Sequence, residues 1–115
     1  MKIGSISGLV YSATDLDTTA AFYESLGFRP GKRDDGQLTC YVNWFWLTFT
    51  LDPDAGQKPD AGPALYLKVD DIDDCYGFVL AQGLSPSGEP RKDRSGRREF
   101  ALHDPDGHTL VFFTK

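Results

Sequence analysis

Cysteine is scarce in this chain. Cys40 and Cys75 lie too far apart for a CxxC metal or redox motif, so no disulfide framework is expected and the pair reads as reduced thiols of a cytoplasmic protein. Long apolar runs are missing too: the best stretch, Tyr41 to Leu47, is short and broken by Asn43, which leaves nothing able to span a membrane. The opening Met1-Lys2-Ile3-Gly4-Ser5 lacks the apolar core of a secretory signal. Nor is there a basic excess. Twelve Lys and Arg against 17 Asp and Glu leave a net charge of −5, which argues against nucleic acid as a partner and mildly favours cationic ligands. What remains is 115 residues, 40% apolar and 13% aromatic, room for a single soluble domain, 1–115, with a modest core.

A repeat runs through that domain. Asp15 and Asp71, Leu16 and Ile72, Phe22 and Phe78, and Gly27 and Gly83 are each 56 residues apart, an ordered correspondence that suggests duplication. Each copy starts with an alternating strand and an acidic turn, followed by an amphipathic helix and a glycine stop. The first helix is expected over about 15–26, with Thr14 and Asp17 at the spacing of a capping box and Gly27 as its left-handed stop. The second is expected over about 71–82, where Ile72, Cys75, Tyr76, Val79 and Leu80 follow helical periodicity and form the core face. Cys75 therefore reads as a packing residue rather than a nucleophile. The Pro-, Gly- and Asp-rich stretch Asp52–Pro63 separates modules of about 1–52 and 63–115. A second polar stretch, Ser85–Arg98, carries five basic residues and is expected as a solvated loop, the alternative being a segment that overhangs a pocket mouth.

Alternation assigns faces to the strands. Phe45, Leu47, Phe49 and Leu51 form one apolar set, leaving Trp46, Thr48 and Thr50 on the other face. Trp44 shares the parity of Trp46 but lies nearer the strand entrance. Leu65 and Leu67 oppose Tyr66 and Lys68; Phe100 and Leu102 oppose Glu99, Ala101 and His103. In the last strand Leu110 and Phe112 alternate with Val111 and Phe113, and alternation alone leaves the buried side open.

Thr14-Asp15-Leu16-Asp17, followed by Ala21-Phe22-Tyr23 and Leu26-Gly27-Phe28, resembles the opening of the glyoxalase, bleomycin-resistance and extradiol-dioxygenase superfamily (the vicinal oxygen chelate fold). The run from Gly96 to His108, with its Asp104-Pro105-Asp106-Gly107 turn, is similar to the penultimate hairpin of the bleomycin-resistance-like branch. The resemblance implies an α+β fold of tandem βαβββ modules whose curled mixed sheets enclose a cleft, with helices packed on the convex side. It assigns Trp46, Thr48, Thr50, Tyr66, Lys68, Glu99, Ala101 and His103 to the cleft, where Val111 and Phe113 complete the wall. It also implies a homodimer.

Enzymes of that superfamily mostly hold a divalent metal on the cleft face. The resemblance places the corresponding positions of this chain at Gly8, Ala64 and Val111, none of which offers a donor atom. No metal and no cofactor are therefore expected. An improvised site from His103, His108 and Glu99 is the weaker alternative. Glu99 and His103 share a face, yet strand geometry sets them roughly 13 Å apart at about 3.3 Å per residue, too far for a dyad. The reading that follows is a metal-free binding protein for a small organic compound, aromatic or amphipathic and antibiotic-like. Its ligand-binding residues are Trp46, Thr48, Tyr66, Lys68, Glu99, His103, Val111 and Phe113. The rival readings are a glyoxalase- or dioxygenase-like enzyme with non-standard metal ligands, and a metal-free enzyme using Glu99 or His103.

Overall fold

Two aspartates set the architecture. Asp15 and Asp71 adopt extended backbone and accept from the first-turn amides of the helices that follow them, where the helix dipole also favours negative charge. The computed structural model describes residues 1–55 and 62–114 and divides into two compact units, Met1–Gly56 and Gln57–Lys115. The expected 52–63 linker lies partly outside the described residues.

The first unit runs β1 (Gly8–Ala13), α1 (Leu16–Ser25), β2 (Arg29–Arg33), β3 (Gln37–Val42) and β4 (Phe45–Leu51). Its sheet has the order β1-β4-β3-β2, parallel between β1 and β4 and antiparallel elsewhere. The second runs β5 (Ala64–Lys68), α2 (Ile72–Ala81), β6 (Arg91–Lys92), β7 (Arg98–His103) and β8 (Thr109–Thr114), in the order β5-β8-β7-β6. Each unit is thus a βαβββ module with a mixed sheet, and neither sheet closes into a barrel. The 56-residue offset links equivalent caps (Asp15 and Asp71) and equivalent left-handed stops, Gly27 at φ 94° and Gly83 at φ 81°. No helix among the described residues is long and apolar enough to cross a membrane.

Alternation decides which face of each sheet is buried. In β4, Leu47 and Phe49 are buried, and the Tyr23 ring of α1 meets Phe49 at 4.8 Å and Phe28 at 5.0 Å edge-on. In the second unit Phe100, Leu102, Leu110 and Phe112 are buried. Phe100 stacks on Phe112 at 5.2 Å and meets Tyr76 of α2 edge-on at 5.3 Å. These last contacts settle the face that the sequence left open, putting Leu110 and Phe112 under the helix.

Three local expectations need correction. The α1 N-cap is Asp15, whose Oδ1 accepts from Thr18 N at 3.0 Å, rather than Thr14: the amides that need an acceptor lie one residue later than the capping-box spacing suggests. Leu80 is 48% exposed; it sits about 100° around the helix from buried Val79, outside the narrow stripe that a ten-residue helix presents to its sheet. Trp44 is not a strand residue. Val42 pairs with Phe45, so Asn43 and Trp44 form a two-residue hairpin loop. Asn43 takes the positive φ of 54°, and Trp44 is left 83% exposed.

Candidate functional site

The face of the first sheet opposite its apolar set carries Trp46, Thr48 and Thr50, as the β4 alternation requires. Register brings Thr39 opposite Thr48 and Tyr41 opposite Trp46. The two threonine hydroxyls bond at 2.8 Å, which fixes their rotamers. On the other side of β4, Gly8 pairs directly with Trp46. A Cβ added at Gly8 meets Trp46 Cδ2 at 2.0 Å, Cε2 at 2.3 Å and Cε3 at 2.4 Å. These are three consecutive atoms at the ring fusion at near-equal distances, so the indole lies face-on against the glycine. Tyr41 repeats the device on the opposite flank: a Cβ at Gly31 falls 2.6 Å from its Cε2. The guanidinium of Arg29 sits 5.1 Å from the Tyr41 ring centroid and is tethered by Nη2 to Asn43 O at 2.9 Å. Two aromatic plates, cross-strand partners in the β3–β4 ladder, thus rest on glycine floors beside a threonine pair. The parity of Trp46 revealed its face; the roles of Tyr41, Gly8 and Gly31 had no signal beyond composition.

On the second sheet the equivalent face holds Tyr66, Lys68, Glu99, His103, Val111 and Phe113. Tyr66 pairs with Val111 and Lys68 with Phe113; across the next ladder Glu99 opposes Phe113 and His103 opposes Thr109. Val111 is only 5% exposed and offers little surface to a ligand. The rings of Tyr66 and Phe113 approach to 5.8 Å at 60°. His103 Nδ1 lies 3.2 Å from Thr109 Oγ1, so its ring is oriented within its own hairpin. The neighbouring Asp-Pro-Asp-Gly turn is built on Asp104, 3% exposed, whose Oδ1 accepts from Asp106 N and His108 N, both at 2.9 Å.

The stretch expected as a solvated loop is one only in part: Ser85–Pro90 lie outside helix and strand and are mostly exposed, but a short hairpin follows. Arg91–Lys92 form β6 against Arg98 and Glu99 of β7, and the residues between them make a tight connection with Gly96 at φ 86°. Asp93 organises it. Its Oδ1 accepts from Ser95 Oγ at 2.7 Å, Ser95 N at 2.8 Å and Arg97 N at 3.0 Å; its Oδ2 accepts from Arg97 Nε at 3.1 Å and Nη2 at 3.0 Å. The Ser95 hydroxyl, with Arg97 and the two amides adding to it and burial opposing, holds the Asp93 carboxyl well below the usual carboxylate range. The Arg97 guanidinium lies 5.4 Å from both the Tyr66 and the Phe113 ring centroids. Sequence reading missed Arg97; Asp93 four residues before it, with Gly96 between, was the available signal.

Glu99 neighbours this connection. Its Oε1 is buried with no hydrogen-bond partner among the described residues, and burial, reinforced by the Asp93 charge, raises its pKa against the pull of Arg97 and Arg91. It borders a hollow of about 150 Å³ that is also lined by Ser87, Arg91, Asp93 and Phe100. Burial pushes the Cys40 thiol up to about 12, with the Glu24 charge adding to the effect, and raises that of Cys75. Neither cysteine is an activated nucleophile.

The residues present do not fit a metal centre of the superfamily type. A side chain at position 8 would have to pass through the Trp46 indole, and hydrogen, methyl and isopropyl groups at 8, 64 and 111 supply no donor. Among the described residues, no three of His, Cys, Asp and Glu are grouped to hold an ion.

The sequence is 36% identical over 104 residues to a bleomycin resistance protein of Klebsiella pneumoniae, covering 84% of this chain and 81% of that protein. It is 31% identical over 121 residues to the metallothiol transferase FosB of Lysinibacillus sphaericus (strain C3-41), covering 99% and 84%. Among solved structures, a bleomycin-binding protein complexed with bleomycin superposes with a TM-score of 0.73 at 30% identity, covering 98% of this chain and 99% of that one. A bleomycin resistance determinant encoded on the transposon Tn5 gives 0.78 at 28% identity, covering 97% and 98%. Residues 5–112 match the glyoxalase/bleomycin resistance protein/dioxygenase superfamily, and the chain belongs to it.

Proposed function

We propose that this protein binds and sequesters a small aromatic or amphipathic organic compound, antibiotic-like in character, without a metal and without transforming it. The observation that carries the reading is the Trp46 indole lying on Gly8: an aromatic plate fills the space that a ligand side chain at that position needs. Stacking on Trp46 and Tyr41, with Thr48 and Thr39 as orienting hydrogen-bonders, suits a planar molecule. Tyr66, Lys68, Glu99 and Phe113 give the second unit a surface of the same kind, and His103 lies at its end. Similarity to bleomycin resistance proteins supports the same reading. The protein acts, in this proposal, as a cytoplasmic homodimer, which light scattering on eluted fractions tests directly.

The test is titration of tryptophan emission against a panel of planar compounds in a Trp44→Phe background, where Trp46 is the sole reporter. Saturable quenching that disappears when Tyr41 and Thr48 are replaced by Ala supports sequestration. Absence of any response across the panel overturns it. The second reading, a metal-dependent transferase, draws on the 31% identity to FosB across nearly the whole chain. Stoichiometric divalent metal in purified protein, together with thiol transfer that chelation abolishes, would favour it.

A further inference from the structure

We infer that Arg97 is the anion-recognising group of the second unit's ligand face, so that the compound bound is a planar aromatic acid rather than a cationic one. The inference rests on the sequestration reading and narrows its ligand class. Three observations carry it. First, the guanidinium is fixed: Asp93 takes its Nε and Nη2, and Asp93 is itself held by Ser95 and the connection's own amides. An arginine held this way has already lost the rotamer freedom that binding would otherwise cost. Second, its recognition edge is unused. Nη1 has no partner among the described residues, so the terminal Nη1/Nη2 fork retains donors in the planar arrangement that matches a carboxylate, phosphonate or sulfonate. The side chain is 33% exposed, enough to be reached. Third, the fork is placed beside aromatic surface, 5.4 Å from the rings of both Tyr66 and Phe113. An acid attached to a flat ring system meets charge and stacking partners together.

The surroundings agree. Lys68 pairs with Phe113 on this face and Arg91 with Glu99, so Arg97, Lys68 and Arg91 stand against the carboxyls of Asp93 and Glu99. Three cations against two acids make this face locally positive on a chain whose net charge is −5. Burial of Glu99 further disfavours its charged form. A cationic ligand on this face would stack against rings whose electron-rich surface the guanidinium already uses.

Equilibrium dialysis of the intact protein against 2-naphthoate, 2-naphthol and 2-naphthylmethylammonium tests the inference, because the three share a ring system and differ in charge. The expected result is naphthoate binding about tenfold or more tighter than the other two, the worth of a charge-assisted bidentate contact. Arg97→Gln should abolish that preference, and Arg97→Lys, which keeps the charge but loses the fork, should leave only part of it. If Arg97→Gln does not fold, as a melting curve would show, the Arg97→Lys comparison decides. Naphthol or the ammonium compound binding as tightly as naphthoate overturns the role of Arg97 and leaves aromatic sequestration standing. Failure of all three to bind overturns both.

Discussion

Trp46 and Gly8 are partners across the parallel β1–β4 ladder, and the indole occupies the volume directly above the glycine. The pair explains two sequence choices at once. Gly8 is required by the ring that lies over it, and the ring has a floor because position 8 has no side chain. A methyl group there would sit 2.0 Å from Cδ2, so Gly8→Ala must tip the indole away or spread the two strands. Overpacking of this kind costs about 1–3 kcal/mol. In a Trp44→Phe background, Gly8→Ala is expected to shift the emission of Trp46 and lower the urea midpoint, and adding Trp46→Ala should restore most of the lost stability. Unchanged emission in the single variant would falsify the face-on contact.

The same contact makes a prediction about metal. Installing a histidine at position 8 supplies a donor but leaves the indole in its path. Gly8→His alone is expected to gain no stoichiometric zinc or manganese, and to be destabilised by the same clash. Elemental analysis after dialysis against either ion reads this directly. Uptake of one ion per chain by Gly8→His, with Trp46 emission shifted but the fold retained, would show that the ring yields easily and that its position is not a barrier.

Helix capping offers an independent check on the repeat. Asp71 Oδ1 accepts from Asp73 N at 3.1 Å and Asp74 N at 3.0 Å, and Asp15 Oδ1 accepts from Thr18 N at 3.0 Å. Removing either cap by Asp15→Ala or Asp71→Ala leaves helix amides without their acceptor and is expected to cost about 1 kcal/mol each in denaturant unfolding. A loss at Asp71 with none at Asp15 would mean that the two positions are equivalent in sequence offset but not in energetic role.

How much of this was legible beforehand depended on whether a local rule applied. Period-two alternation assigned β4, β5 and β7 to their faces because one side of each had to meet a helix, and a one-residue slip would have reversed every side chain. Gly27 and Gly83 were readable because left-handed stops favour glycine. The rest was decided by contacts between residues distant in sequence. Nothing around Gly8 indicates that Trp46, 38 positions later, will cover it. The 56-residue match of Phe22 with Phe78 holds in sequence but not in burial: Phe22 is buried whereas Phe78 is half-exposed, so repeat membership fixed position along the helix and not partners. Arg97 looked like one of five basic loop residues; only the turn that Asp93 nucleates brings it over Tyr66 and Phe113.

Cys40 provides a chemical prediction. With its thiol pushed up to about 12, the thiolate at pH 8 is on the order of one part in ten thousand, and the residue is buried besides. Native protein exposed to excess disulfide reagent at pH 8 is expected to label Cys40 only as fast as the fold opens, with half-buried Cys75 reacting first. Both should react at once in denaturant. Labelling of Cys40 at the rate of a free thiol would contradict its burial.

Glu99 and Asp93 are adjacent acids whose folded environments act in opposite directions, and their pH dependence separates them. Glu99 binds its proton more tightly in the folded protein than its ordinary value of 4.5, mainly through burial. From that value up to its folded one, the native state therefore holds more protons than the unfolded chain, and stability falls as pH rises. Glu99→Gln, which cannot ionise, is expected to melt higher than the parent at pH 7, the gap closing as pH drops to 4.5 and below. Asp93 is held below its ordinary value of 3.8. Its contribution is complete above 3.8 and is lost as pH falls through the folded value, so Asp93→Asn should melt lower at pH 7 and converge on the parent in strong acid. Melting curves of the three proteins from pH 3 to pH 8 read both signs. If Glu99→Gln melts lower than the parent at pH 7, the carboxylate has a partner that stabilises its charge, and the burial of an unpartnered Oε1 is wrong.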